Sequence, residues 1–290
     1  QQKKALSARY VFGWACLYHL LGLFGWPLFE DDYYRYLWDA YHTVQYGSPY
    51  GIAPSEYFDS EGLGASVSAL FQNVLNGINY PDIPTIYGPT LQYSFLLAYL
   101  IAPGEVWALQ LVYALVDMVL IAVLLRLATP RMVLLYAWSP LVFKELILTA
   151  HPDGLGVCLL MVAVFCHYRK AYYLMALALA ASLAAKIFAI LFVPFLLFKT
   201  NFRVVGLFVL TLVALYLPLL GDGVGDLLGL NAMAQAWQFN SAFYGLLTLL
   251  FTDQLSKIIL AVMLVSGFAW YFLRFHFGQN PLAQKGHIRG

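Results

Sequence analysis

Seven apolar runs divide this chain, at residues 11–29, 106–125, 132–149, 154–168, 171–198, 204–220 and 258–273. A helix needs about 20 apolar residues to cross a hydrocarbon core of about 30 Å. The composition agrees with repeated crossing: 62% of residues are hydrophobic and only 11% charged, against about 25% charged in a soluble domain. Mean hydropathy is +0.72. These values exclude a cytosolic enzyme, a disordered chain and a nucleic-acid-binding module. Cys16, Cys158 and Cys166 all lie within apolar runs, with neither a disulfide framework nor metal-ligand spacing. No small-residue cleavage site follows the first run, so it reads as a retained span rather than a signal peptide.

The few charges are sorted by position. Lys3, Lys4 and Arg9 precede the first run, Arg126 and Arg131 share one turn, Arg169 and Lys170 another, and Lys199 and Arg203 a third. Arg274, Lys285 and Arg289 close the chain. Basic residues in short loops face the cytoplasm, which places both termini there. Run 171–198 must then cross an even number of times. It reads as a hairpin of two short helices with Lys186 at its outer tip, giving about eight spans. The halves would reach only about 21 Å and about 17 Å at about 1.5 Å per residue, leaving Lys186 in a pit below the outer surface. The alternative is one tilted helix with a snorkelling lysine. Acidic residues repeat the pattern: Glu30, Asp31, Asp32, Asp39, Glu56, Asp59, Glu61, Asp82 and Glu105 fall between the first two runs. Asp153, Asp222, Asp226 and Asp253 fall in other outer segments, and only Asp117 is mid-span. The expected fold is an all-α integral membrane bundle, one module over 1–290, with outer segments 30–104 and 221–256.

Segment 30–104 has too few aliphatic residues to fold alone and is expected to lie as short helices on the membrane surface. Residues 33–46 place Tyr36, Leu37, Ala40 and Val44 at helical spacing, and 91–102 reads as an interfacial or re-entrant helix. Five clusters carry candidate chemistry. Glu30-Asp31-Asp32 sets three carboxylates side by side, raising one another's pKa, so one could serve as general base and another bind a metal or Arg35. The plain alternative is an acidic turn. Residues 79–89 hold three prolines and form either a substrate loop or a rigid surface loop. His151 and Asp153 could share a proton or a metal, or Asp153 could simply cap a helix. Lys186, an ionisable residue among apolar helices, suits an anionic headgroup. Trp237 to Ser241 suits a sugar face or an interfacial anchor.

In order, these clusters resemble the GT-C superfamily of polytopic glycosyltransferases, and within it the bacterial mannosyltransferases that use polyprenyl-phosphate sugars. The residues that carry the resemblance are Asp31 to Asp39, Gly47-Ser48-Pro49-Tyr50, Ala53-Pro54, Ile78 to Pro81, Pro84 to Pro89, His151, Asp153, Lys186, Trp237 and Asn240. The resemblance implies an inverting transfer of a monosaccharide, mannose by preference, to an acceptor hydroxyl on the outer face. It implies that Asp31 and Asp32 are catalytic, with Asp31 favoured as base. Lys186 and Arg35 would hold the donor phosphate. Asp39, Tyr87, Gln92, His151, Asp153, Trp237 and Asn240 would bind substrate. The donor is a lipid-linked sugar phosphate and the acceptor a glycan, glycolipid or protein. Membrane lipid is a partner and nucleic acid is not. No other cofactor is required, no metal ligand is assigned, and a divalent ion stays open. The chain departs from its relatives in two ways: they are longer, with further spans, and often carry proline where Gly88 stands. Two other classes remain, a lipid or solute transporter using Asp117, Lys144, Glu145 and Lys186, and a non-catalytic subunit that keeps the fold.

Overall fold

The computed structural model describes residues 6–28, 30–221, 225–236 and 242–277, with the side chains of 233–236 excepted. Among them the structure is helical, with no strand. The chain divides into two compact units, Gln1–Met233 and Ala234–Gly290.

The first unit opens with α1 (Ala8–Gly22), started by Ser7, whose side chain accepts from the Tyr10 amide. The expected first run continued to residue 29, but the helix ends at Gly22. A Cβ there would stand 2.6 Å from Ile147, and one on Gly25 would stand 2.4 Å from Leu148. These close approaches turn the chain across a neighbouring segment, and α1 is left shorter than a span. Then come α2 (Tyr33–Tyr46), α3 (Ala69–Asn76), α4 (Pro89–Ile101) and α5 (Val106–Leu127). Residues 132–149, expected as one span, are broken into α6 (Pro130–Ala137), α7 (Pro140–Val142) and a π-helical turn, Phe143–Leu148. The break has a local cause: Ser139 caps the Val142 amide, and Pro140 has no amide to continue α6.

Next are α8 (Asp153–Tyr168) and α9 (Tyr172–Ala185). At Lys186 the backbone becomes extended, with φ −146° and ψ 134°. A 3₁₀ segment, Ile187–Phe192, and α10 (Val193–Leu197) follow. Lys186 lies beside Asp153 at the start of α8, whereas Leu196 packs with Ala163, Cys166 and Met175 near its end. The Leu196 carbonyl meets His167. Residues 187–197 therefore run back along the bundle, as the hairpin reading expects. After α11 (Phe202–Tyr216) and a 3₁₀ turn, Leu217–Leu219, comes α12 (Leu227–Ala236), which runs to the boundary with the second unit. That unit holds α13 (Ala242–Thr248) and α14 (Asp253–Phe277). Asp253 begins α14 and Arg274 and His276 end it, the polarity that a helix dipole favours.

Three helical segments are long and apolar enough to cross a membrane: Val106–Leu127, Phe202–Leu219 and Asp253–Phe277. A fourth arises if Pro140–Leu148 and Asp153–Tyr168, bent by 111°, count as one broken span. The helices between them are shorter.

Segment 30–104 differs from the expectation of helices lying on a surface. Ten residues of α2, including Tyr36, Leu37, Trp38 and Ala40, are buried, while Val44 is exposed. Aromatic rings supply the core that aliphatics lack: Tyr36 stacks on Phe95 at 4.9 Å and Tyr41 on Phe71 at 4.1 Å. Leu109, Val112 and Tyr113 of α5 complete this core, with Ala150 and Ala185. The segment is thus not self-sufficient, and it is anchored inside the bundle.

Asp117, the mid-span carboxylate, is 1% exposed. It meets His19 Nε2 of α1 at 2.7 Å and accepts from the Tyr136 hydroxyl of α6 at 2.6 Å. Three helices share this cluster. Asp117→Leu should strand both partners and cost about 3 kcal/mol, read as a fall in melting temperature in detergent. The double variant His19→Leu/Asp117→Leu should recover part of that loss; a purely additive loss would contradict the coupling.

Candidate functional site

Asp31 and Asp32 stand immediately before α2, with Asp32 at its N-cap, and their carbonyls accept from the Tyr34 and Arg35 amides. Two carboxylates at a helix N-terminus are favoured by its dipole. Asn79 binds them together, its Nδ2 donating to Asp31 Oδ1 at 2.6 Å and Asp32 Oδ1 at 2.8 Å. Asp31 is exposed and Asp32 is half-buried. Asn79 is delivered by a strained loop, because Tyr80 has φ +47°. Gly77, just before, is pressed on the Tyr34 ring, where a Cβ would stand 2.7 Å away.

His151 reaches the same pair from the other side. The π turn relaxes the helix so that the Thr149 amide bonds the Lys144 carbonyl at 3.0 Å and the His151 amide the Glu145 carbonyl at 2.9 Å. Ala150 takes φ +53° between them. π turns and left-handed non-glycine residues concentrate at functional sites, and here both strained residues adjoin a side chain that touches the acidic pair. His151 Nε2 is 3.9 Å from Asp32 Oδ2, and its Nδ1 is 3.7 Å from Asp153 Oδ2. Asp153 Oδ1 is in turn 2.6 Å from Lys186 Nζ. The result is a row of groups, Asp31–Asp32–His151–Asp153–Lys186, drawn from three separate segments.

Lys186 stands over the Tyr87 ring, 5.3 Å from its centroid. Gly88 makes this possible: a Cβ there would lie 2.2 Å from the Ala184 carbonyl. Glycine at 88 thus lets the 79–89 loop come directly against the end of α9. Gly88 also precedes Pro89, which begins α4 with no amide to leave unsatisfied.

Asp39 and Gln92, expected to bind substrate, are 2% and 0% exposed. Asp39 accepts from Thr85 Oγ1, and from Gln92 Nε2 at 2.9 Å. Gln92 also donates to the Tyr87 carbonyl at 3.3 Å, which the Tyr50 hydroxyl meets at 3.2 Å. Both are enclosed by these bonds, which pin the loop that carries Tyr87. Arg35, expected at the donor phosphate, is 8% exposed. Its Nε is 3.8 Å from Asp39 and it donates to the Ile83 carbonyl, so it serves the same loop. Tyr87 itself is 7% exposed and offers its ring to Lys186. Trp237 and Asn240 lie outside the described residues.

Sequence reasoning did not single out the bridging amide of Asn79. The acidic exit also proves larger, because Lys144 sits 3.0 Å from Glu145 and 3.8 Å from Glu30. Burial, with Asp32 nearby, pushes Glu30 above the usual carboxylate range. Among the described residues no group of three His, Cys, Asp or Glu side chains could hold a metal ion.

Burial raises Asp39 above its ordinary 3.8, against the pull of Arg35, Thr85 and Gln92. A raised carboxylate contributes its stability below the ordinary value and loses it as pH rises through the raised one. Melting temperature should therefore fall as pH climbs above 3.8, and Asp39→Asn should flatten that part of the profile. An unchanged slope would show that Asp39 is not the group responsible.

Neither the curated proteins nor the solved structures gave a match. Residues 1–202 match the model of the MptA_B family, described as alpha-(1->6)-mannopyranosyltransferase, N-terminal domain. That match covers every element of the row from Asp31 to Lys186. The chain belongs to this mannosyltransferase family.

Proposed function

We propose that the chain transfers mannose from a polyprenyl-phosphate donor to a primary hydroxyl of a mannoside acceptor, at the outer face of a membrane. The observation that carries the reading is the row of groups with carboxylates at one end and a lysine at the other. A transfer of this kind needs a base where the acceptor proton leaves and a cation where phosphate charge develops.

The family description supports the sugar and the linkage. A 1→6 bond is made to the oxygen on C6, a primary hydroxyl. An alpha product from a single inverting displacement requires a β-linked sugar phosphate. The acceptor oxygen attacks the anomeric carbon as a carboxylate takes its proton, and the C1–O bond to phosphate breaks with its electron pair on the departing oxygen. Sequence alone favours Asp31 as the base. Geometry favours Asp32, the member of the pair that connects onward to His151. Asn79 bridges the two carboxylates and holds the orientation of Asp32.

Lys186 suits the phosphate end. Asp153 takes one of the three N–H donors of the ammonium, and the side chain is 27% exposed, so a phosphate oxygen can share it. The Tyr87 ring beneath adds a face that favours the cation. The break at Lys186 sets the charge at the end of a short helix, and short flanking helices suit a depth where a lipid phosphate meets water. Sorting of basic turns and acidic segments supports the outer face. The lipid chain supplies the partner surface, and no metal enters this reading.

The purified protein in detergent should transfer mannose from polyprenyl-phosphate mannose to a synthetic α-mannoside, followed by mass spectrometry of the product. Asp32→Asn should lower turnover about 10²- to 10⁴-fold with donor KM little changed, and more than Asp31→Asn does. Lys186→Ala should chiefly raise donor KM; normal donor saturation would remove its phosphate role. Absence of transfer from any of a panel of polyprenyl-phosphate sugars would contradict the reading as a whole.

A further inference from the structure

The transfer leaves a proton on the acidic pair, and that proton must go before the next turnover. Asp32 is poorly placed to release it. Its Oδ1 is taken by Asn79, and its side chain is 26% exposed. His151 faces its other oxygen, with Nε2 3.9 Å from Asp32 Oδ2 and Nδ1 3.7 Å from Asp153 Oδ2. Asp153 is the most exposed of the three, at 48% against 25% for His151. The row therefore runs from a partly closed carboxylate, through an imidazole, to a carboxylate open to water.

We propose that His151 is a proton-relay residue that clears Asp32 through Asp153 to solvent. This rests on Asp32 being the base for glycosyl transfer. Neutral His151 carries its hydrogen on Nδ1, directed at Asp153, and leaves Nε2 free to accept. Once the acceptor proton is on Asp32, it passes to Nε2. The Nδ1 proton moves to Asp153 and then to water, which leaves Asp32 charged, and exchange of the ring proton with water restores the Nδ1–H tautomer before the next turnover. One proton leaves the acceptor and one reaches solvent, and the phosphate keeps the electron pair of the broken bond. Both gaps exceed a direct hydrogen bond, so the transfer uses a side-chain shift or a bridging water.

Several features fit this task better than simple scaffolding. An imidazole loads and unloads protons near neutral pH. The π turn and the left-handed Ala150 hold the ring out of the helix that would otherwise bury it. The Tyr36 ring meets it edge-on at 6.4 Å and limits its swing. Lys186 holds Asp153 Oδ1 at 2.6 Å and leaves Oδ2 facing the ring, and Glu30 lies close enough for its charge to interact with the ring.

The test uses the full chain in detergent with polyprenyl-phosphate mannose and a synthetic α-mannoside. His151→Ala should lose about 10²-fold in kcat with donor KM unchanged, and added imidazole should restore about tenfold of it in a saturable way. His151→Gln, which keeps a polar side chain between the two carboxylates but cannot relay a proton, should be as slow as His151→Ala and should melt with the wild type. Full activity in either variant, or a loss that imidazole does not restore, would overturn the relay while leaving the transfer itself standing. A wild type that transfers no sugar would instead overturn the glycosyl-transfer reading, and the relay with it.

Discussion

Lys186 places an ammonium between two apolar helices, and the structure answers that charge before anything else. Asp153 pairs with it at 2.6 Å, and the Tyr87 ring lies beneath it. An unpaired charge in such surroundings costs several kcal/mol, of order 3–5 when one partner of a buried pair is lost. The helix stops at Lys186 so that the charge reaches an end rather than a middle. Asp153 begins its own helix at the same level, where a carboxylate is favoured by the dipole. Ser182 ties the two helices just behind, donating to the Gly156 carbonyl at 2.7 Å. A pair so placed answers the charge within the bundle and leaves the ammonium partly open to solvent.

The aromatic segment serves this pair from the other side. Asp39, Thr85 and Gln92 lock the 79–89 loop to α2 and α4, and Gly88 lets the loop touch α9. One element thereby fixes both ends of the site: Asn79 near its start holds the acidic pair, and Tyr87 near its end supports Lys186. The buried polar residues of this segment hold the loop in place.

Much of this was legible in the sequence because charge is scarce. Short helices and single lysines stand out against apolar runs, so the break at Lys186, the helix over 33–46 and the cluster of His151 and Asp153 could be read from position alone. Sequence did not separate Asp39, Gln92 and Arg35 from polar residues open to a ligand. All three are polar residues on helices of the outer segment, and only packing shows that Thr85 and the Ile83 carbonyl claim them. The split of 132–149 was hidden for a different reason: hydropathy is blind to a helix break when every residue around it is apolar. Ser139-Pro140 carried the signal, as a cap followed by a residue that cannot continue a helix. His19 was hidden likewise, since its partner Asp117 is 98 residues away.

The central claim is a single inverting displacement across a site with a base at one end and a cation at the other. Its most direct test is the anomeric configuration of the product, read by NMR after reaction with α- and β-linked polyprenyl-phosphate mannose. The account predicts an α-linked product from the β-linked donor and none from the α-linked one. A β-linked product, or an α-linked product made from the α-linked donor, would contradict it.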